Sequence, residues 1–195
     1  RSNIYMIDEN ESLIVNALKK GDKTAFDKLV SQYEKVVYRI CHRFFNNEND
    51  ALDASQEVFI KIYRNIEKFE GKSSLKTWIY RIASNTCITM SEKNKKEKNG
   101  LLQNLVDWWN NLSQPTPEDL TIMSIERNLT QNVVRENITK IPEVYRIPVI
   151  LKDIEGLPME KISEILEIPV GTVKSRLNRG RRILHDKLEP LMKEF

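Results

Sequence analysis

The residues whose types best suit a chemical task lie near the C-terminus, along one side of a helix-length stretch. Arg and Asn side chains make paired hydrogen bonds to base edges, while Lys, Arg, Ser and Thr bind phosphate oxygens. Between Gly171 and Lys187 there are six cations and one anion. Because a charged helix face is often only solvated, charge alone leaves DNA binding and a plain surface equally open. The candidate DNA-binding residues are Thr172, Lys174, Ser175, Asn178, Arg179 and Arg182.

Two short helices are needed to hold this surface. The first is predicted to open at Pro158, whose fixed φ suits a first helical turn, and the pair Ile168-Pro169 is expected to end it. Its apolar stripe consists of Ile162, Ile165 and Leu166. The second helix has an apolar face formed by Val173, Leu177, Gly180 and Leu184. Since that face can pack on the first helix, the pattern predicts a helix-turn-helix that reads duplex DNA.

The segment EGLPMEKISEILEIPVGTVKSRLNRGRRIL resembles the promoter −35 recognition region of extracytoplasmic-function sigma factors, the short two-domain members of the sigma-70 family. The run from Pro169 to Arg176 is the most specific part of this likeness, and it adds Arg176 to the residues implied to bind −35 DNA. Two positions depart from the family pattern. Glu167 stands in the turn where Gly is common, and Gly180 stands where Ala is common. Each departure is expected to cost about 1 kcal/mol, which suggests a marginal domain.

A second group of DNA-compatible side chains lies in the middle of the chain. The spacing predicts a helix capped by Ser73 or Ser74, with Trp78 in its core. Its apolar positions are Leu75, Trp78, Ile79, Ile82 and Ala83. The solvent-facing side is predicted to carry Thr77, Tyr80, Arg81, Ser84 and Asn85. An exposed tyrosine among cations and amides suits single-stranded DNA, since aromatic stacking contributes about 1 to 3 kcal/mol per base.

This block resembles the family's −10 element reader, which captures an unstacked base of the non-template strand. The resemblance implies that Arg81 and Asn85 contact DNA from the helix. Tyr80 is expected to join them because an exposed ring can stack on a base. The loop residues implied to receive the base are Phe69, Gly71, Lys72, Ser73 and Ser74. Because extruding a base costs a few kcal/mol, a pocket that binds it stabilises the open duplex without any chemistry.

A partly acidic stripe runs along the preceding predicted helix. It consists of Asp53, Gln56, Glu57 and Ile60. Carboxylates four residues apart are typical of a solvated helix face; a catalytic pair is disfavoured because nothing predicted nearby would separate their pKa values. The segment DALDASQEVFIKIY is similar to the family's core-binding segment. The resemblance implies that these four residues contact the clamp coiled coil of RNA polymerase.

Helices are predicted throughout the first half of the chain. Leu13 belongs to the apolar face of the first, and Gly21-Asp22 ends that helix and caps the second. The third is predicted over Ala51–Glu67, with Leu52 and Tyr63 in its buried set. In the second half, Ile141-Pro142-Glu143 is predicted to start a helix that directs Val144 to the core. Pro148 is expected to distort this helix, and Gly156 to close it.

Composition limits the remaining possibilities. The 195 residues are 40% hydrophobic and 30% charged, which is ordinary for a globular protein, and the net charge of +3 requires any DNA contact to be concentrated in patches. No apolar stretch approaches the length of a membrane span, so a cytoplasmic location without membrane insertion is expected. Cys41 and Cys87 are expected to be buried thiols, and no metal or cofactor site is predicted.

The polar run from Ser91 and the Gln114–Pro117 segment predict an interdomain linker. Within it, an apolar cluster is expected to dock on the protein itself, with the polymerase or an inhibitor protein as alternatives. The cluster consists of Leu101, Leu102, Leu105, Val106, Trp108, Trp109 and Leu112. A helix start near Pro117-Glu118-Asp119 opens the second domain, so the predicted divisions are region 2 over residues 4–95, a linker over 96–117 and region 4 over 118–195.

The predicted fold is all-α, with two small helical domains, and the predicted function is that of an alternative sigma factor. It would bind core RNA polymerase at the clamp and flap, recognise the −35 element as duplex and the −10 element as single strand, and not be an enzyme. The resemblance also implies an anti-sigma partner, through which it would reach a membrane surface. Two alternatives stay open: a dimeric helix-turn-helix regulator, and an enzyme using Asp53 and Glu57.

Overall fold

The computed structural model describes residues 9–98 and 133–192. Within these ranges the chain is helical and contains no strand, which confirms the all-α prediction. The predicted linker cluster and the predicted helix start at residues 117–119 lie outside the described residues. The helices are α1 (Glu9–Lys19), α2 (Lys23–Phe45), α3 (Glu48–Asn65), α4 (Leu75–Lys98), α5 (133–139), α6 (Glu143–Val149), α7 (Met159–Leu166) and α8 (Val170–Met192).

Helices α1 to α4 form a bundle whose core is lined by fully buried aliphatic side chains, among them Ile40, Val58, Ile62 and Ile79. The turn between α1 and α2 is formed by Gly21 and Asp22, as predicted. Gly21 has a φ of 76°, and the Asp22 carboxylate accepts hydrogen bonds from the backbone of Thr24 and Ala25. Glycine suits the first position because a left-handed backbone carries no steric penalty without Cβ, and Asp22 satisfies donors at the start of α2.

Two helix boundaries differ from the prediction. Helix α3 begins at Glu48 rather than Ala51, because the Asn47 side chain accepts a hydrogen bond from the Asp50 N–H and caps the helix start. Helix α4 continues through the polar run from Ser91 to Lys98, which was predicted to be linker. The Ser91 and Lys95 side chains contact Glu143 of the second half, so this polar turn has tertiary partners that sequence pattern does not reveal.

Four side chains that were predicted to be buried are exposed: Leu13, Leu52, Tyr63 and Val144. The apolar stripe of a helix is often wider than the surface its neighbours cover, so residues at its margin stay in solvent. Tyr63 is the clearest case. Its ring lies edge-on to Phe26, with ring centroids 5.2 Å apart, and packs across the rim of the bundle rather than inside it.

The second half is built around Pro148. Pro148 lacks the N–H that would continue the helical hydrogen bonds, and after Val149 the chain forms a π-helical turn over Ile150–Ile154. The expected distortion is therefore confirmed. Gly156 then closes the segment with a φ of 69°, and the Leu157 N–H reaches back to the Leu151 carbonyl.

Gly180 lies where α8 crosses α6. A Cβ at this position would lie 2.7 Å from Val149 Cγ2 and 2.8 Å from the Tyr145 carbonyl oxygen. The departure from the family pattern is thus explained by close helix packing: the intrinsic helix preference for Ala, about 1 kcal/mol, is offset by the backbone contact that only Gly permits.

Cys41 and Cys87 are fully buried free thiols, as predicted, and they meet in the core of the first half with their Sγ atoms 3.7 Å apart. Their hydrogen bond, from Cys87 to Cys41, lowers the pKa of Cys41 and raises that of Cys87. Across residues 9–98 and 133–192, no helix combines the length and apolar character that a bilayer crossing requires.

The two halves pack directly on each other. Helix α4 contacts α6 and α7, and α2 contacts the π-helical turn. The most buried polar contact is made by Arg146, which donates from Nη1 to the Phe44 carbonyl at 3.0 Å and lies over the Phe44 ring at 4.6 Å. Arg39 adds a bidentate ion pair with Glu155, with both hydrogen bonds at 2.6 Å. The arrangement of the halves therefore depends on specific polar contacts as well as apolar burial.

Candidate nucleic-acid interface

The helix-turn-helix consists of α7, a tight turn and α8. Pro158 is the cap of α7 rather than its first helical residue, since its ψ of 153° is extended. Glu167 ends α7 in a left-handed conformation, with a φ of 55°. Ser163 Oγ donates to the Ile168 carbonyl at 2.5 Å, which fixes the turn before Pro169 opens α8. The position at which the sequence departs from Gly is therefore left-handed, so Glu167 carries the expected strain of about 1 kcal/mol.

Helix α8 has the two faces that the sequence predicts. Val173 and Leu177 are fully buried, whereas the basic face points away from the protein. Exposed on that face are Lys174, Ser175, Asn178, Arg179 and Arg182, with Thr172 and Arg176 partly exposed. Within the described part of the chain, neither Lys174 nor Arg179 forms an ion pair, so both side chains are available to a polyanion.

Arg181 has a different environment from its neighbours on α8. It forms a two-pronged ion pair with Asp153 of the π-helical turn, with Nε 3.0 Å from Oδ2. This hydrogen bond raises the pKa of Arg181 above its ordinary value. Arg181 therefore holds α8 against the π-helical turn, while the adjacent Arg179 and Arg182 face solvent.

The loop before α4 is fixed at both ends. Phe69 is buried against Trp78, with ring centroids 5.2 Å apart, and its carbonyl accepts a hydrogen bond from Lys19 Nζ at 2.7 Å. Gly71 has a φ of 70°, and Ser74 Oγ accepts from the Thr77 N–H at 3.2 Å as the predicted helix cap. This leaves Lys72 exposed, Gly71 and Ser74 partly exposed and Ser73 buried.

Three side chains predicted to face solvent on α4 are buried: Thr77, Tyr80 and Ser84. Tyr80 is only 4% exposed. For Thr77 and Tyr80 the cause is the second half of the protein, because both line a cavity of about 390 Å³ together with Leu157 and Ile165. Burial raises the pKa of Tyr80. The amphipathic pattern of α4 does not predict the burial of Thr77 and Tyr80, since it indicates only which face of the helix packs within the first bundle.

Arg81 is also held between the halves. Its Nη1 is 2.9 Å from a carboxylate oxygen of Glu167, and its Nη2 donates to the Glu164 carbonyl at 2.8 Å. Asn85, one helical turn further along α4, is exposed. The two predicted helix contacts for the −10 strand thus lie in different environments.

Asn85 lies in a groove of about 370 Å³ between α3 and α4. Lys61, Asn65 and Lys68 line the groove from the α3 side, and Trp78 lies at its wall. Two cations, two amides and an aromatic ring are the side chains that suit a single strand. The sequence analysis did not assign these three residues to DNA. Lys61 and Asn65 lie on the helix assigned to polymerase, and Lys68 lies in the short turn after it. The spacing of Lys61, Asn65 and Lys68 is the signal that would have indicated the groove.

The predicted polymerase-binding stripe lies on the outer side of α3. Asp53, Gln56 and Ile60 are exposed, and Glu57 is partly buried, 3.7 Å from Lys61 Nζ. Exposed carboxylates of this kind lack the desolvation that acid/base chemistry requires, so the enzyme alternative loses its basis. Ile60 also borders an apolar groove of about 650 Å³ that contains Phe26 and Tyr63, which extends the apolar part of this surface.

Glu143 is a titratable group at the contact between the halves whose pKa is strongly shifted. It accepts hydrogen bonds from Ser91 at 2.8 Å and Lys95 at 2.6 Å. Burial raises the pKa of Glu143, but the hydrogen bond from Lys95, with those from its backbone and Ser91, outweighs burial and lowers the pKa from 4.5 to about 2. The ionised carboxylate is therefore favoured by the packed arrangement.

We expect the contribution of Glu143 to stability to disappear in acid. Because its pKa is lowered on folding, the contribution is complete above pH 4.5 and is lost as the pH falls toward about 2. Glu143→Gln should therefore unfold at a lower temperature than the parent protein at neutral pH, and the difference should close across this range. Thermal unfolding followed by circular dichroism at a series of pH values measures it. Lys95→Ala should show a smaller difference; a gap that is constant with pH would contradict the assignment.

A helical bundle with a basic groove, joined to a helix-turn-helix with a solvent-facing basic helix, defines a two-domain DNA-binding protein. Comparison with known proteins narrows this class. The model of sigma-70 region 2 matches residues 29–97, and that of sigma-70 region 4 matches residues 132–184. SigW of Bacillus subtilis, an extracytoplasmic-function RNA polymerase sigma factor, is 37% identical over 185 residues, covering 91% of this chain and 96% of the relative.

A sigma-E factor of Haemophilus influenzae is also 37% identical, covering 93% of this chain and 97% of the relative. The chain belongs to the extracytoplasmic-function sigma factors of the sigma-70 family, and it is an alternative sigma factor of RNA polymerase.

Two solved structures have similar folds. CnrH in complex with the cytosolic domain of CnrY has a TM-score of 0.63 at 18% identity, covering 93% of this chain and 99% of that one. The sigma factor RpoE in complex with the anti-sigma factor NepR from Bartonella quintana has a TM-score of 0.59 at 19% identity, covering 84% and 96%. At these identities the likeness concerns the fold, and it extends over both halves of the chain.

Proposed function

We propose that α8 reads the −35 element of the promoter as duplex DNA. The observation that carries this is the solvent-facing basic side of α8 opposite a fully buried apolar side. Arg179 and Asn178 have the donor geometry for base edges, while Lys174 suits phosphate. The proposed −35 set is Thr172, Lys174, Ser175, Arg176, Asn178, Arg179 and Arg182. A dimeric regulator is not favoured, because family membership accounts for both halves of the chain.

The first half reads the −10 element as single-stranded DNA. The loop before α4 receives the extruded base, and its anchoring by Lys19 and Trp78 supports a preformed pocket. The proposed −10 set is Phe69, Gly71, Lys72, Ser73, Ser74, Tyr80, Arg81 and Asn85. The groove beside Asn85 extends this set with Lys61 and Lys68, whose charges would follow the strand backbone.

The exposed stripe Asp53, Gln56, Glu57 and Ile60 binds the clamp coiled coil of core RNA polymerase, and the second half binds the flap. The proposed division of the chain is region 2 over residues 4–95, an interdomain linker over residues 96–117 and region 4 over residues 118–195. The protein acts in the cytoplasm without an enzymatic reaction of its own; polymerase makes the phosphodiester bond. An anti-sigma factor holds it inactive, as the solved relatives bound to CnrY and NepR suggest by analogy.

Transcription in vitro tests this function directly. Purified core RNA polymerase is supplied with fragmented genomic DNA, with and without the protein, and the new transcript starts are mapped. Discrete starts preceded by a shared −35 and −10 pair are expected. Sequence-specific duplex binding by the protein alone, with no new starts, would instead establish an ordinary helix-turn-helix regulator.

We expect Asp53→Ala combined with Glu57→Ala to weaken binding to core polymerase about tenfold or more while leaving stability within about 1 kcal/mol of the parent. Both carboxylates lie on the outer side of α3, so their removal takes charge from the proposed contact without opening the core. Titration of labelled protein with core polymerase measures the affinity, and circular dichroism measures stability. Glu48→Ala with Asp50→Ala, at the start of the same helix, is the charge-matched control. Equal loss in both pairs would point to net charge rather than this stripe.

A further inference from the structure

The contact between the two halves includes a residue that the proposed function assigns to DNA. Arg81 of α4 is bound by the Glu167 carboxylate and by the Glu164 carbonyl, both from the helix-turn-helix. Tyr80, its neighbour, is buried against the same unit. The other polar contacts described between the halves involve no residue of the −10 set; they join Arg39 to Glu155, Arg146 to Phe44, and Ser91 and Lys95 to Glu143. The Arg81 contact is therefore the place where packing and promoter reading require the same side chain.

Glu167 is an unusual residue for its backbone position. With a φ of 55° it occupies the left-handed region that favours glycine, so a carboxylate is retained there at a conformational cost. The side chain explains its presence, since it reaches across to Arg81 at 2.9 Å. The second bond of Arg81 goes to the Glu164 carbonyl, in the last turn of α7. The turn thus presents two acceptors to one guanidinium.

The contact leaves the guanidinium incompletely bonded. Arg81 Nε is buried and has no hydrogen-bond partner among the described residues. A guanidinium carries five donors, and phosphate oxygens can satisfy them in a paired geometry. The DNA-facing side of α8, by contrast, stays exposed in the packed form. The packed form therefore covers Tyr80 and Arg81 of the proposed −10 set, while the proposed −35 face remains accessible.

We propose that Glu167 is an autoinhibitory latch: in the free protein it captures Arg81, so that the helix-turn-helix turn competes with single-stranded −10 DNA for the same guanidinium. The proposal rests on the role of Arg81 in −10 reading. Core polymerase, which in the proposed function engages the two halves at clamp and flap, separates them and releases Arg81.

Binding to core polymerase in the absence of DNA tests the latch. If the packed arrangement of the halves competes with polymerase binding, removing the Glu167 carboxylate raises the fraction of molecules whose halves are separated. The apparent affinity for core polymerase then increases by the same factor. We expect Glu167→Gln and Glu167→Gly each to lower the apparent Kd about threefold, the scale of one partly exposed ion pair. Gln keeps the left-handed strain and Gly removes it, so a shared effect belongs to the carboxylate. Small-angle X-ray scattering of the free variants should show a larger radius of gyration.

Glu160→Gln is the matched control, because Glu160 is an exposed carboxylate on the same helix and lines the same cavity. It should change neither affinity nor scattering. The latch is overturned if the Glu167 variants match the parent protein in both measurements, or if Glu160→Gln has an equal effect.

Arg81→Ala separates failure of the latch from failure of the proposed −10 role. Arg81→Ala should tighten binding to core polymerase, as the Glu167 variants do. With core polymerase saturated by the variant, it should nevertheless fail to open the promoter. Permanganate reactivity of unpaired thymines at a mapped promoter measures the opening. Tighter binding with normal opening would uphold the domain contact and reject the DNA role of Arg81. Lost opening with unchanged core affinity would uphold the DNA role and reject the latch.

Discussion

Arg146→Ala is expected to destabilise the protein by about 3 kcal/mol. Arg146 is 6% exposed, and its guanidinium donates to the carbonyls of Ile141, Phe44 and Thr139. Truncation leaves these acceptors without their donor in a buried site and removes the contact with the Phe44 ring, and each orphaned polar group costs about 1 to 3 kcal/mol. Burial lowers the pKa of Arg146, because the charged guanidinium has lost hydration that these hydrogen bonds must replace. Urea denaturation followed by circular dichroism measures the loss.

Two further variants make the interpretation specific. Arg146→Lys keeps a cation, but its single ammonium cannot reach three carbonyls in the geometry of a planar fork, so most of the loss should persist. Arg181→Ala removes an arginine that pairs with Asp153 at a more exposed site, and should cost no more than about 1 kcal/mol. A similar loss for Arg146→Ala and Arg181→Ala would mean that the buried carbonyl contacts add little.

The second large effect is expected on −35 recognition. Arg179→Ala should weaken binding of the holoenzyme to its promoter by about tenfold to a hundredfold, because a paired contact to a base contributes about 1 to 3 kcal/mol of discrimination. Lys174→Ala should weaken binding to all sequences and lower the salt dependence by about one counterion. Titration of the mapped promoter duplex at several salt concentrations separates the two kinds of contact.

The neighbouring Arg181 supplies an internal control for these DNA measurements. Its guanidinium is engaged by Asp153, so Arg181→Ala should leave promoter affinity close to that of the parent protein even though it removes the same charge. Core polymerase binding should also be unchanged in Arg179→Ala and Lys174→Ala. If both variants instead lost polymerase binding to the same degree, the division of labour between α8 and α3 would have to be abandoned.

The packed form exposes the proposed −35 face of α8 but covers two residues of the proposed −10 set. Lys174 and Arg179 reach solvent, while Tyr80 and Arg81 lie against the helix-turn-helix. Separation of the halves is expected to change access to Tyr80 and Arg81 but not to the basic face of α8. The loss of stability expected in acid at Glu143 affects the same contact between the halves, at the opposite end of α4 from Arg81.

Local sequence determined most of the helices and several of their ends, although not the start of α3 or the end of α4. The Gly21-Asp22 turn, the distortion at Pro148 and the closing Gly156 are decided within a few residues, because φ preference, a missing N–H and a side-chain cap act locally. The two faces of α8 follow in the same way, since Val173 and Leu177 repeat at helical spacing. For these features the pattern and the structure agree.

Only the tertiary structure decided which polar surfaces stay in solvent. Tyr80 and Arg81 have the side chains of a wet helix face, and nothing in α4 itself indicates that α7 covers them. Gly180 is explained by the 2.8 Å approach of a Cβ to the Tyr145 carbonyl, and Glu167 by a cation 86 positions earlier in the chain. Periodicity records how one element divides into faces, but contacts between distant elements depend on how the two halves pack, which no local pattern encodes.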